Sequence, residues 1–405
     1  MAGTQARIRV GNLPLPVCAD DADLSVRVMR QLRDRLFAAD VPRKAVQLMH
    51  DALAVDLDGC WPFSVYSAAL VDQFWRSLCA GLGDAPILCG RHRFYPDLRI
   101  ALTGFGPHEC ALDSIDLSAP ASAAESGWAA SVLDEDVALC TLWLNDLRAG
   151  QLQLAFQPVY RLDQLDGGRC LYHEALVRRT SALTESPAAA IRALERQGLI
   201  GRLDWSNLWA VVSLLETRPG CVLACNVSAQ TLRPNAWWRE FIRYLQGRCA
   251  VASRLFIEIT ETSPFVHRAL ALELTRELQS LGVRIVLDDM GSGHADLAAL
   301  YDTDYDAVKI DQSLLRQARQ SPAGREILAW FTRACARSSP CVVIEGAENS
   351  DDLILVRNAG AQAAQGHFVG RPEGRPEWNF HEPCVVPNRL PQYGAALSFI
   401  NRGGR

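Results

Sequence analysis

The second half of the chain sets a carboxylate, amide or amine at the end of one short apolar run after another. Glu174 lies in LYHEALVR, Asn226 ends CVLACNV, and Glu258 and Glu261 lie in FIEITET. Asp288 and Asp289 end RIVLDDM, Lys309 and Asp311 sit in VKID, and Glu345 and Glu348 in VVIEGAE. Gln365 opens the last strand. A single acid in such a place ordinarily caps a helix or faces water. Asp288 and Asp289 fit that reading as caps, Glu348 as a first-turn acid suited to the helix dipole, Lys309 as a solvated loop charge and Gln365 as a turn residue. Recurrence is what it leaves unexplained, because acids inside β-branched runs are costly unless paired or ligated. Converging carboxylates need cations to offset their repulsion, and an all-oxygen donor set favours hard divalent ions such as Mg²⁺ or Mn²⁺. Two such ions roughly 3.5–4 Å apart make a site for phosphoester hydrolysis.

Lys309 sharpens this chemistry. Of 41 basic residues only two, Lys44 and Lys309, are lysines. Arg keeps its proton at any relevant pH, whereas a Lys beside metal ions can have its pKa pulled down. A compact amine inside VKID therefore suits a site that handles water and protons.

Residues so placed need strands to aim them. Apolar or β-branched runs occur at Gln153–Val159, Cys170–Val177, Cys221–Val227, Leu255–Thr260, Arg284–Met290, Ala307–Asp311, Cys341–Ala347 and His367–Val369. Helical stretches separate most of them: Pro187–Gln197, Leu203–Glu216, Ala236–Gln246, His267–Leu281, Ala323–Arg337 and Asp351–Asn358. Eight strands alternating with helices predict an α/β fold, a (β/α)8 TIM-like barrel whose functional side chains sit at the C-terminal strand ends. A doubly wound open sheet is the alternative, but no glycine-rich phosphate loop follows the first strand. Arg161–Arg169 is too short for a helix, so the first two strands form an antiparallel hairpin and the barrel is a modified one.

Upstream, SAPASAAESG (Ser118–Gly127) reads as a linker, followed by an amphipathic connecting helix over Ala130–Arg148. The expected organisation is an N-terminal regulatory domain of small α+β type over 1–117, linker and connecting helix over 118–148, the barrel over 136–385 and a flexible tail over 386–405. Within the first domain Leu24, Val28, Leu32 and Leu36 predict a helix capped by Asp20 or Asp21. Further helices are expected at Arg43–Val55 and Ser67–Leu82, and a strand at Arg99–Thr103. No constellation with chemistry appears there.

Composition narrows the class. A net charge of −5 without a basic cluster speaks against a nucleic-acid binder, and the apolar runs are too short for membrane insertion. The N-terminus carries no apolar export signal, so a cytoplasmic protein is expected, with its 13 scattered cysteines as free buried thiols.

Taken in order, HEALVR, NVSAQTL, FIEITET, LDDMGSG, VKID, VVIEGAEN and QGHFVGRP resemble the successive motifs of the EAL family of cyclic di-GMP phosphodiesterases, over about residues 136–385. The resemblance implies a modified barrel with an antiparallel first hairpin, and hydrolysis of cyclic di-GMP to linear pGpG with two Mg²⁺ or Mn²⁺ ions. It implies Glu174, Asn226, Glu258 and Asp288 as ligands of one metal, and Asp288, Asp289 and Glu345 as ligands of the second, with Asp288 bridging. By the same resemblance Lys309 helps activate the attacking water and Gln365 lies near water and substrate. Arg178 grips a phosphate, Leu176 lies beside a guanine, and Glu261 steadies the loop after the fifth strand. A homodimer through the barrel is implied as well. Where the family usually reads DDFGTGYSSL this chain reads DDMGSGHADL, so Met290, Ser292, His294, Ala295 and Asp296 depart from it in the loop that links site and dimer interface. The rival expectation is a catalytically silent receptor that binds cyclic di-GMP or a protein through the same barrel.

Overall fold

The computed structural model describes residues 5–10, 24–38, 41–49, 52–56, 82, 86–89, 92–94, 96, 98–103, 130–163, 170–232, 234, 236–260, 268–292, 300, 304–374 and 384–385, and counts below refer to these. The chain divides near Leu142 into two compact units.

In the first unit, β1 (Gln5–Val10) lies at the centre of an antiparallel sheet ordered β2-β3-β1-β6, with β2 at Val46–Leu48, β3 at Leu53–Asp56 and β6 at Leu98–Thr103. A separate hairpin joins β4 (Ile87–Cys89) to β5 (His92–Phe94). Helix α1 (Leu24–Ala38) buries Val28, Met29, Leu32 and Leu36, the stripe its spacing predicts. The strand expected at Arg99–Thr103 is β6. The helix expected over Arg43–Val55 is not formed. A 3₁₀ turn at Arg43–Ala45 leads into β2, and β3 follows. Apolar residues at 45, 46, 48, 49, 52, 53 and 55 satisfy a helical period as well as a strand period. Pairing with β1 then decides for strand by burying Leu53 and Val55 completely. The helix expected over Ser67–Leu82 (apart from Leu82) and the caps at Asp20 and Asp21 lie outside the described residues.

Helix α2 (Ala130–Arg148) spans the range expected of the connecting helix and buries Val137, Cys140, Trp143, Leu144 and Leu147. In the second unit, strands β7 (Leu152–Arg161), β8 (Cys170–Arg179), β9 (Leu223–Ser228), β10 (Leu255–Thr260), β11 (Arg284–Met290), β12 (Ala307–Ile310), β13 (Val342–Ile344) and β14 (Ala363–Gln365) pair in sequence order, and β14 pairs back on β7 to close the barrel. Neighbours from β8 to β14 are parallel, whereas β7 is antiparallel to both β8 and β14. This is the modified barrel with an antiparallel first hairpin. A short strand, β15 (Cys384–Val385), pairs antiparallel with Gln153 and Leu154 at the start of β7.

Helices cover the barrel: α3 (Ala188–Arg196), α4 (Ile200–Thr217), α5 (Ala236–Leu245), α6 (Cys249–Ala252), α7 (Arg268–Ser280), α8 (Gln312–Gln320), α9 (Pro322–Cys335) and α10 (Ser350–Ala359). Among them α6 and α8 have no counterpart in the stretches the sequence predicts. The lower barrel is filled by Val159, Tyr172, Ala224, Phe256, Val286, Ala307, Val343 and Ala363, one packed cluster drawn from all eight strands. No helix among the described residues is long and apolar enough to cross a membrane. Seven of the described cysteines are free thiols, five of them buried as expected, whereas Cys170 is half-buried and Cys249 exposed; burial pushes the thiols of Cys140 and Cys335 up to about 12.

The eighth strand is four residues earlier than the expected His367–Val369. Two alanines have weak strand propensity, but Ala363 and Ala364 are fully buried and pair with β13 on one side and β7 on the other. Phe368, within the expected strand, is 50% exposed in the turn beyond. Gln365 thus closes the last strand rather than opening it, which carries its amide to the same rim as the other polar strand ends.

Candidate active site

At that rim seven of the expected residues gather around the ammonium of an eighth, Lys309. Lys309 on β12 is 1% exposed, and its Nζ lies 2.7 Å from Glu345 Oε1, 2.9 Å from Glu258 Oε2, 3.1 Å from Glu174 Oε2 and 3.4 Å from Asp288 Oδ1. Asn226 Nδ2 donates to Glu174 Oε1 at 2.6 Å, and Gln365 Nε2 donates to Glu174 Oε2 at 2.6 Å. The parallel register explains the gathering. Glu174 stands opposite Ala224, and Glu258 stands opposite Asn226 one layer higher, so alternate residues of adjacent strands line the mouth.

Two neighbouring acids on one strand should face opposite sides, yet Asp288 and Asp289 both serve this site. The backbone resolves the conflict. The ladder between β11 and β12 shifts register between Leu287 and Met290, and Asp289 has φ 59°, the one left-handed residue other than glycine among those described. A carboxylate oxygen from each of Glu174, Glu258 and Asp288 comes within 4.8 Å of the others, and so do oxygens from Asp288, Asp289 and Glu345. Asp288 belongs to both groups. Backbone strain at a carboxylate pair is a familiar mark of a functional site.

The charges are out of balance: five carboxylates face one ammonium. Burial would raise all the carboxyls, but at Glu174 the Lys309 charge with the Gln365 and Asn226 donors prevails and holds it below its ordinary range. Burial pushes Glu258 up to about 8, with Glu174 and Asp288 adding to the rise. The Asp288 charge and burial push Asp289 up to about 7, and burial lifts Asp288 and Glu345 too. Burial also opposes the Lys309 ammonium, yet the four carboxylates outweigh it and hold its pKa well above the ordinary lysine value. Carboxylates alone therefore pull Lys309 in the direction opposite to that expected of neighbouring metal ions. Asn226 Oδ1, Glu258 Oε1 and Gln365 Oε1 are buried without hydrogen-bond partners. An all-oxygen set with excess negative charge and unpartnered buried oxygens fits hard divalent cations.

Leu176 and Arg178 share the Glu174 face of β8 and are half-buried towards the rim. Arg178 Nη1 donates to the Val177 carbonyl at 2.9 Å, and burial keeps its pKa below the usual guanidinium value. Two strand-end acids stay apart from the centre. Asp311 caps α8, accepting from Ser313 N at 2.9 Å, and Glu348 is 57% exposed beside Arg319. Glu261, His294, Ala295 and Asp296 lie outside the described residues.

Several supports escaped the sequence reading. Gln157 on β7 accepts from Gln365 Nε2 at 3.2 Å and donates to the Gly370 carbonyl. Its signal was a polar residue inside an apolar strand. Arg319 on α8 binds both oxygens of the buried Asp352 and donates to the Gly346 carbonyl at 2.8 Å, fixing the loop that starts at Glu345. Gly346 has φ +79°, and a Cβ there would lie 2.5 Å from Gln312 Cβ, so only glycine lets this loop cross α8. Behind Asn226, Asp204 accepts from Ser228 N at 3.0 Å and from Thr231 Oγ1 at 2.6 Å, while Ser228 Oγ donates to Glu195. Trp238 Nε1 holds the Thr231 carbonyl at 2.8 Å. These contacts pin the turn after β9, and no spacing in the sequence announces them.

Residues 142–372 match the family model of the EAL domain, more than half of the chain. Among curated relatives, the chain is 30% identical over 234 residues to the cyclic di-GMP phosphodiesterase NbdA of Pseudomonas aeruginosa, covering 56% of this chain and 29% of that protein. It is 24% identical over 247 residues to the cyclic di-GMP phosphodiesterase RocR of the same organism, covering 60% and 62%. The chain thus spans less than two thirds of the length of either. The FimX EAL domain from Pseudomonas aeruginosa bound to c-di-GMP superposes with TM-score 0.51 at 20% identity, over 60% of this chain and 99% of that one, a likeness of fold.

Proposed function

The chain belongs to the EAL domain family, and from that premise we propose that it hydrolyses cyclic di-GMP to linear pGpG with two divalent cations, Mg²⁺ or Mn²⁺. The observation that carries the reading is Asp288, shared between a Glu174/Glu258 group and an Asp289/Glu345 group. Glu174, Asn226, Glu258 and Asp288 would hold one cation, and Asp288, Asp289 and Glu345 the other. When bound, the cations supply Lewis acidity at one phosphodiester and acidify the attacking water.

The residues do the remaining work. Lys309, held as ammonium by four carboxylates in the metal-free protein, is placed to hold or yield a proton beside the attacking water. Gln365, fixed by Glu174 and Gln157, orients that water and the substrate. Arg178 grips a phosphate oxygen at the rim, and Leu176 offers an apolar surface to a guanine. A homodimer formed through the barrel is part of this proposal, to be checked by light scattering.

The test is incubation of the purified protein with cyclic di-GMP and Mg²⁺ or Mn²⁺, with chromatography of the products. Accumulation of pGpG that requires the cation supports the proposal. Tight binding of cyclic di-GMP without turnover would make the chain a receptor instead.

A further inference from the structure

Tyr172 lies beneath this site and takes no part in the roles assigned above. It stands two residues before Glu174 on the same face of β8 and is completely buried. Its ring stacks on Phe256 of β10, with centroids 4.5 Å apart and planes at 28°. The strand between them, β9, presents only the methyl group of Ala224, and the three residues belong to one packed cluster. That small residue lets the phenol reach across towards Glu258, two positions beyond Phe256, and the hydroxyl lies close enough to feel the Glu258 charge.

Two polar atoms in this place lack partners. The Tyr172 hydroxyl is buried with no hydrogen bond, and so is Glu258 Oε1. The other carboxylate oxygen, Oε2, is taken by Lys309. A buried hydroxyl without a partner costs about 1–3 kcal/mol, and phenylalanine would fill the same stack without that cost. Carboxylates that bind metals are generally steadied from behind by an outer hydrogen bond.

We propose that Tyr172 is a positioning residue for Glu258: once a divalent cation is bound, its hydroxyl donates to the carboxylate oxygen turned away from Lys309 and fixes the rotamer in which Glu258 faces the cation. The inference rests on the reading of Glu258 as a cation ligand.

The test compares the full chain with its Tyr172→Phe variant, both stripped of metal with EDTA. Mn²⁺ titration followed by electron paramagnetic resonance gives the affinity, and melting of the metal-free proteins gives stability. The dissociation constant for Mn²⁺ should rise about 10-fold or more, the usual scale for losing an outer partner. The metal-free variant should melt at or above the wild-type temperature, because an unpartnered hydroxyl has been removed. A Mn²⁺ affinity within twofold of wild type overturns the inference and leaves Tyr172 a core residue. A lower melting point of the metal-free variant also overturns it, since the hydroxyl would then be stabilising the metal-free core. Wild-type protein that binds no Mn²⁺ is a separate result and defeats the reading of the carboxylates as a metal site.

Discussion

Replacing Lys309 by Arg separates charge from chemistry at the centre of the site. The side chain is 1% exposed, and four carboxylate oxygens surround Nζ at 2.7–3.4 Å from strands β8, β10 and β11 and from the end of β13. A compact ammonium can face acceptors that arrive from several directions, whereas a guanidinium presents its donors in one plane and needs more room. Forcing it into this space should cost about 1–3 kcal/mol of overpacking. For a barrel of this size that corresponds to a melting point lower by roughly 2–4 °C per kcal/mol. If Lys309 holds or moves a proton at the attacking water, hydrolysis should slow by about 10²-fold or more, equivalent to about 2.7 kcal/mol in the barrier. Binding of cyclic di-GMP should persist, because Arg178 and the carboxylates are untouched. Single-turnover hydrolysis beside calorimetric titration with the ligand reads both quantities. A variant that hydrolyses within a few-fold of wild type would show that Lys309 serves only as a counter-ion.

Asp288→Ala should abolish hydrolysis and weaken Mn²⁺ binding at both positions, because this carboxylate is common to both acidic groups; substantial turnover with Mg²⁺ would refute the shared role. Ca²⁺ should inhibit, since its longer bonds and looser geometry would mis-space the pair, as competition against Mg²⁺ in the product assay will show. Burial pushes Asp204 up to about 7, above its unfolded value, so its stabilising contribution is complete at acid pH and is lost as pH rises through about 7. Asp204→Asn should therefore flatten the fall in denaturation free energy between about pH 4 and pH 7, by up to a few kcal/mol; an unchanged slope with EDTA present would show that Asp204 does not carry it. A fragment beginning at Val132 should fold alone, because the barrel carries its own core; a molten fragment by near-ultraviolet dichroism would place the boundary elsewhere.

Much of the barrel was legible because buried parallel strands read as β-branched runs with sharp ends. Leu255–Thr260 and Arg284–Met290 are strands over the full ranges that the sequence predicts. The short Arg161–Arg169 connection foretold the antiparallel hairpin, since a parallel crossover needs a longer segment. Two misreadings share a cause, in that local pattern was ambiguous and pairing decided. Residues 43–55 satisfied two periods, and the small strand Ala363–Gln365 has weak propensity and is held by its two neighbours.

The sequence by itself determined which residue types end the strands, and from an excess of oxygen donors over cations it determined the kind of chemistry they suit. Residue type and spacing alone did not separate Glu174, Glu258 and Glu345, which enter the cluster, from Glu348 and Asp311, which leave it for an ion pair and a helix cap; only the resemblance to the EAL motifs did. Nor could the sequence show that Asp289 turns left-handed beside Asp288, or that Tyr172 stacks on Phe256 with only Ala224 on the strand between. Strand identity is written in nearest neighbours along the chain. Which side of a strand end a carboxylate faces depends on register, bulges and the size of the side chain one strand away, and those are set only when the barrel closes.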